Sequence, residues 1–325
     1  MIDFKLWILI GTVIVLLGTA TLVVHILRRR DDLGVNVAIV EAFRLRVRAW
    51  WLLFTVLVTA CLIGKIVTVI LFGLISFWAL REFITLTPTR PGDHRTLFWV
   101  FFLWTPLQYV VIGFAMYNLF GLEWLDFYSV MIPVYVFLFI PTRVAMDGDS
   151  RRFLERVAKM QAGILICVYC LSYAPALMSV PVHDKSLPFS SAGLLIFFVL
   201  MVQISDALQY TLSQVGRRHV IVPTIHKGRT WEGLIGGMIS SALIGAALCW
   251  ATPFTFWMSG VMSAVIALMC FAGSLTMSAI KRDRGVRDYG TLVEGHGGVL
   301  DRIDSLCFAA PVFFYLTRWW IALAT

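Results

Sequence analysis

Apolar residues in this chain come in long, nearly unbroken runs separated by short basic segments, and that pattern predicts a stack of membrane-crossing helices. A crossing needs about 20 apolar residues to cover a hydrocarbon core roughly 30 Å thick. The first run, residues 5–27, is followed directly by Arg28, Arg29 and Arg30. A cleaved signal peptide would carry its positive charge before the apolar core, so a retained anchor is expected. The stretch from Ala49 to Phe83 is too long for one crossing and should break near Gly64 and Lys65 into two spans. Further spans are expected over 97–120, with Pro106 inside, 124–141, 162–180, 192–215, with Asp206 inside, 232–251, from the Pro253 turn to Ile280, and 303–323. The basic segment Arg143–Lys159 reads as an amphipathic interfacial helix. Strand-period alternation is absent, so the expected class is an all-α polytopic membrane protein of about ten helices rather than a barrel.

Charge gives the expected orientation. Ten spans with the N-terminus outside place all but four of the 27 Lys and Arg residues in cytoplasmic loops, the exceptions being Lys5, Lys65, Lys185 and Arg318. Both termini are then non-cytoplasmic, and the expected location is a bacterial inner membrane. Composition agrees: 59% of the 325 residues are hydrophobic and 14% are charged, a balance that excludes an ordinary soluble domain. The net charge of +8 sits in juxtamembrane loops, where anchoring and anionic headgroups account for it better than nucleic acid does. Three regions follow: 1–48, an anchor and basic segment; 49–190, spans two to six with the amphipathic segment 143–159; and 191–325, the region of chemistry.

The six cysteines fall inside apolar segments and read as small hydrophobic side chains, with no disulfide framework. Cys167 and Cys170 have redox-motif spacing but no neighbouring charge to lower a thiol pKa, so packing is the better reading. Gly233, Gly236, Gly237 and Gly245 allow the eighth span to approach a neighbour closely, and such small-residue faces permit a homodimer.

Polar chemistry concentrates in two loops. Ser278–Ser305 holds Lys281, Arg282, Arg284, Arg287 and Arg302 against Asp283, Asp288, Glu294, Asp301 and Asp304. Cations can grip phosphate oxygens, and carboxylates can hold a hard divalent ion against the same phosphates. A solvated juxtamembrane loop is the alternative for that composition. The second loop, His219–Gly233, ends on Glu232 at the entry to a span, where a carboxylate favours a helix N-terminus. Asp206 lies within an apolar span, where a carboxylate is costly and usually faces a polar cavity. A hydrogen bond to Gln203, Gln209 or Tyr210 would also satisfy it.

SAIKRDRGVRD followed by HGGVLDRIDS resembles the C-terminal signature of phosphatidate cytidylyltransferases, S-x-x-K-R-x(4)-K-D and H-G-G-x-x-D-R-x-D. Ser278, Lys281, Arg282, Asp288, His296, Gly297, Gly298, Asp301, Arg302 and Asp304 match it. Thr230–Gly233 with Gly236 and Gly237 resembles the family's TWEG-x-I-G-G, Asp206 and Tyr210 its D-x-x-A-Y, and Ala79–Phe83 its ALWEF. The chain departs from the family in having Ser274 for an aspartate, Met277 for a glutamate, His226–Thr230 for S-P-x-K-T, Arg287 for a lysine and Glu294 for a proline. A lost carboxylate should weaken divalent-metal binding, so the resemblance is to a divergent paralog.

That resemblance implies transfer of a cytidylyl group from CTP to a lipid phosphate such as phosphatidate, giving CDP-diacylglycerol and pyrophosphate with Mg²⁺, at a site facing the cytoplasm. It assigns Asp288 and Asp301 to the metal, with Asp304 and Asp206 in support. Lys281, Arg282, Arg287, Arg302 and Arg229 would grip phosphates. Ser278, Thr230 and His296 would orient them, and Glu232, Gly297 and Gly298 would complete the substrate site. The rival reading is a non-catalytic paralog acting as a lipid or nucleotide sensor or partner subunit, for which Ser274 and Met277 are the motive. A transporter would use Asp206 but leave the loop motif unexplained.

Overall fold

The computed structural model describes residues 4–29, 37–86, 90–117, 124–180, 190–216, 219–226, 228–286, 288–290 and 297–324. Ten apolar helices account for nearly all of them: α1 (Phe4–Arg29), α2 (Val37–Ile63), α3 (Lys65–Thr85), α4 (Asp93–Tyr117), α5 (Trp124–Ala145), α6 (Phe153–Ser179), α7 (Ser191–Val215), α8 (Trp231–Ala247), α9 (Phe256–Asp283) and α10 (Leu300–Ala324). Nine contain runs long and apolar enough to cross a bilayer; α8 is shorter. The break between α2 and α3 falls at Gly64, whose φ of 148° is open to glycine but strained for other residues. The six cysteines are all free.

One expectation is corrected. Residues 143–159 are not a single interfacial helix: α5 ends at Ala145, a turn follows with Gly148 and Arg152 at positive φ, and α6 begins at Phe153. Of the basic residues that suggested an independent helix, Arg156 and Lys159 belong to the first turns of α6, which continues as an apolar helix of span length. Proline is accommodated where the helices widen. Met131–Val136 of α5, which contains Pro133, and Val100–Trp104 of α4, which ends just before Pro106, are π-helical, and the Thr105 hydroxyl donates to the Val100 carbonyl at 2.8 Å. Such local adjustments re-satisfy backbone groups that a proline frees in lipid.

Lipid offers no hydrophobic drive between helices, so close packing and polar contacts hold them together. α8 packs edge-on against α7 and α9 through glycine: a side chain at Gly233 or Gly237 would collide with Ser213 or Gln209 of α7, and one at Gly245 with Ser263 of α9. These glycines are therefore used within the chain. Deeper in the bundle, Tyr128 and Ser172 share a 2.6 Å hydrogen bond, and Tyr173 bonds to Tyr169 and Tyr315, both at 2.8 Å, which ties α5, α6 and α10. Outward-facing side chains such as Leu74, Leu243, Val261 and Trp319 are exposed and apolar, as a lipid-facing surface requires.

At one end of α4 and α6 an ion pair is closed off from solvent. Arg156 donates to Asp93 through Nε at 2.9 Å and Nη2 at 2.5 Å, and to the Asp149 carbonyl at 2.8 Å, with both charged side chains almost wholly buried. Removing Asp93 leaves Arg156 with the more exposed Asp149 carboxylate, 3.3 Å away, in place of a buried one. Asp93→Ala is expected to destabilise the protein by about 3–5 kcal/mol, whereas Asp93→Leu with Arg156→Met together should cost far less. Thermal unfolding of the two variants in detergent checks both values.

Candidate active site

Helix periodicity brings the polar residues of α7 to one face. Gln203, Asp206, Ala207 and Tyr210 stand at positions i, i+3, i+4 and i+7 of the helix and line a cavity of about 270 Å³. The opposite walls are Ser274 of α9, Asp301, Arg302, Asp304 and Ser305 of α10, and His226, Gly228 and Arg229 of the loop between α7 and α8; Trp50 of α2 completes them. That loop is shaped by its own backbone. Ile221 N–H donates to the Arg229 carbonyl at 3.1 Å and Trp231 N–H to the His219 carbonyl at 3.0 Å, while the Thr230 hydroxyl caps α8 by accepting from Gly233 N–H at 3.1 Å.

The first turn of α10 is held by two carboxylates. Glu82, buried at the end of α3, accepts the Val299 and Leu300 N–H groups at 3.0 and 2.8 Å. These donors have no partner within the helix, and the positive end of the helix dipole favours an anion there. Asp301 is engaged on both oxygens: Oδ1 with Lys281 Nζ at 2.9 Å, and Oδ2 with the backbone N–H groups of Tyr289 and Gly298 at 2.8 and 2.9 Å. The paired glycines of the motif follow from this crowding. Gly297 adopts φ 80°, and any side chain at Gly298 would strike the Glu82 carboxylate. Tyr289 completes the support by donating to the Met277 carbonyl at 3.0 Å and lying beneath the Lys281 ammonium.

Arg229 reaches across the cavity. It donates to Gln209 Oε1 at 2.9 Å and Ser274 Oγ at 2.6 Å and stands 3.7 Å from Asp206. His226 accepts Gly228 N–H through Nδ1 at 3.1 Å. Burial, then the nearby charges of Arg229, Lys281 and Arg282, lowers its pKa and keeps the imidazole neutral.

Of the residues expected from sequence, Asp206, Arg229, Asp301, Arg302 and Asp304 come together around the cavity. Ser278 lies one turn beyond Ser274 on α9 and is buried. Lys281 meets the site through Asp301, and Arg282 donates to the Ile225 carbonyl at 3.3 Å. Asp288 is exposed, with its Cβ beside Gly297. Thr230 is the helix cap and Glu232 pairs with His219 at 2.7 Å, both off the cavity wall. His296, Arg287 and Glu294 lie outside the described residues. Sequence reasoning met Glu82 only within the ALWEF-like segment and Gln209 only as a partner for Asp206, and it assigned no role to Trp50. A carboxylate inside an apolar span was a usable signal for Glu82, but its partners are 217 and 218 residues away.

Residues 44–320 match the model of the cytidylyltransferase family. The chain belongs to the cytidylyltransferase family. Over 282 residues it is 37% identical to the uncharacterized protein YnbB of Escherichia coli K12, covering 85% of this chain and 87% of that protein. It is also 34% identical over 129 residues to a phosphatidate cytidylyltransferase of Mycobacterium leprae, covering 38% of this chain and 40% of the relative. A phosphatidate cytidylyltransferase of Haemophilus influenzae is 33% identical over 139 residues, covering 41% and 47%. The cavity of this family member gathers cations and carboxylates from α7, α10 and the loop before α8.

Two expectations follow from this geometry. A glutamine at position 82 keeps the shape but offers one acceptor oxygen where two N–H groups need it. Glu82→Gln should cost about 1–3 kcal/mol in thermal unfolding and speed hydrogen exchange at Val299 and Leu300. His226, held neutral, contributes stability above the ordinary imidazole pKa of about 6.5, and this is lost as pH falls through its lowered folded value. The unfolding midpoint should carry an acid-side decline that His226→Asn removes.

Proposed function

We propose that this protein transfers a cytidylyl group from CTP to a lipid phosphate, with phosphatidate as the first candidate. The observation that carries the reading is the cavity itself, where Arg229 and Arg302 face Asp206, Asp301 and Asp304 where apolar helices converge. A phosphate monoester is already an anionic nucleophile, so the site need not generate one. Its oxygen attacks the α-phosphorus of CTP, the bond to the β-phosphate oxygen breaks, and pyrophosphate leaves with the electron pair. Arg229 and Arg302, with Lys281 and Arg282 of the signature motif, would neutralise and align the two polyanions. CTP would enter from the cytoplasm, as the distribution of basic residues favours, and acyl chains from the bilayer.

Among the described residues, no group of three or more His, Cys, Asp or Glu side chains is placed to hold a metal ion by itself. The oxygen donors facing the cavity, Asp206 and Asp304, instead suit Mg²⁺ arriving on the triphosphate, since that ion is commonly bound by one or two carboxylates plus substrate phosphates. Such an ion would offset charge on the phosphate oxygens. Asp301, with both oxygens engaged, supports this reading as the residue that holds Lys281 and the Gly298 turn in place.

Purified protein given Mg²⁺, labelled CTP and a panel of lipid phosphates should release pyrophosphate and form a CDP-lipid, CDP-diacylglycerol where phosphatidate is used. Asp301→Asn should lower turnover by about 100-fold or more, because it removes an anion that three donors share. Unchanged turnover in that variant would overturn the role of Asp301. CTP binding without product from any lipid phosphate would favour the sensor reading, for which Ser274 and Met277 in place of family carboxylates are the motive.

A further inference from the structure

Arg229 is a buried cation whose nearest anchors are neutral. Its side chain is about nine-tenths buried, and burial of this kind is ordinarily balanced by a carboxylate at hydrogen-bonding distance. Here the two hydrogen bonds go to the Gln209 amide oxygen and the Ser274 hydroxyl, while Asp206 stands further off at 3.7 Å. The amide of Gln209 is itself oriented from behind. Its nitrogen donates to Ser205 Oγ at 3.1 Å and to the Ala267 carbonyl at 2.8 Å, which leaves its oxygen facing the arginine. Gln209 and Ser274 are both buried, on α7 and α9, so the cradle is fixed by helix packing. The Phe271 ring, 5.9 Å from the guanidinium carbon, adds a further uncharged neighbour.

We propose that Gln209 and Ser274 are positioning residues that hold Arg229 without cancelling its charge, so that the guanidinium meets a phosphate dianion in the cavity as a built-in cation. Neutral acceptors fix the plane of the fork and leave its field directed at the ligand. A carboxylate at either position would add a hydrogen-bonded ion pair to the longer contact that Asp206 makes at 3.7 Å, and spend more of that field inside the protein. The inference rests on the cavity being a phosphate site but not on the cytidylyl chemistry.

The test is direct binding in the absence of divalent metal, so that Arg229 rather than a metal ion is probed. Inorganic pyrophosphate is titrated into detergent-purified full-length protein in EDTA by calorimetry, with CTP and phosphatidate micelles as parallel arms. Wild type should bind at least one of the three. Ser274→Asp and Gln209→Glu should each weaken that binding roughly tenfold or more, the scale of one charge-assisted hydrogen bond. Ser274→Thr, which keeps the hydroxyl, should stay close to wild type, and Ser274→Ala, which removes it without adding charge, should fall between. The arm that responds identifies whether nucleotide or lipid phosphate uses Arg229. The proposal is overturned if wild type binds none of the probes, if the Asp and Glu variants bind as well as or better than wild type, or if Ser274→Ala is as damaging as Ser274→Asp. Thermal unfolding of each variant separates lost folding from lost binding; if one acidic variant is unfolded, the other decides. Turnover is measured apart: binding that behaves as stated without any transfer would sink the cytidylyl reading and leave this one standing.

Discussion

The cavity end of this protein depends on a carboxylate buried where α3 ends. Glu82 accepts the first free N–H groups of α10, which would otherwise face neither water nor an intrahelical partner. In a bilayer-embedded bundle such donors are costly to leave open, and an anion at the positive end of a helix meets both the hydrogen-bonding and the dipole requirement. The close approach of this carboxylate is why Gly298 has no side chain, and Gly297 supplies the positive φ needed to make the turn. Once α10 starts where Glu82 places it, Asp301 can take the Tyr289 and Gly298 amides and Lys281, and Asp304 falls one turn further along, facing the cavity.

The chain buries two arginines in opposite ways, and the contrast separates structure from chemistry. Arg156 is locked to Asp93 by two short bonds, a closed pair that ties helix ends together and presents no field to a ligand. Arg229 is held by a serine and a glutamine at a cavity wall, with the Asp206 carboxylate further off at 3.7 Å. The first arrangement stabilises the bundle; the second is suited to binding an anion. Glycine packing makes the second possible, because α8 can lie close enough to α7 and α9 for its preceding loop to deliver Arg229 between them.

Much of the fold was legible along the chain. The runs beginning near residues 5, 49, 97, 124, 162, 192, 232, 254 and 303 all became helices, and Gly64 broke the long second stretch as its lack of a side chain allows. The segment 143–159 was misread because an amphipathic pattern reports which residues share a face, not where a helix stops; Gly148 and Arg152 turn the chain there. At the site, Asp206, Arg229, Asp301, Arg302 and Asp304 were found from charge and motif, and they share one cavity. Thr230 and Glu232, read as substrate groups, have visible local tasks as a cap and an ion-pair partner.

By itself the sequence determined the class, the succession of apolar helices and the cluster of charge near the C-terminal end. Each of these depends on hydropathy and spacing within a few turns, which bilayer thickness and helix period convert directly into structure. Tertiary structure alone decided that Glu82 caps a helix more than 200 residues away, that Asp301 has both oxygens occupied, and that Ser274 and Arg229 face one another. Those facts depend on which helix lies beside which, set by glycine contacts and polar pairs between distant segments, and no local pattern carries that information. The HGG and DRxD signature marked where the chemistry gathers; only the packed helices showed which of its groups are occupied in support and which face the cavity.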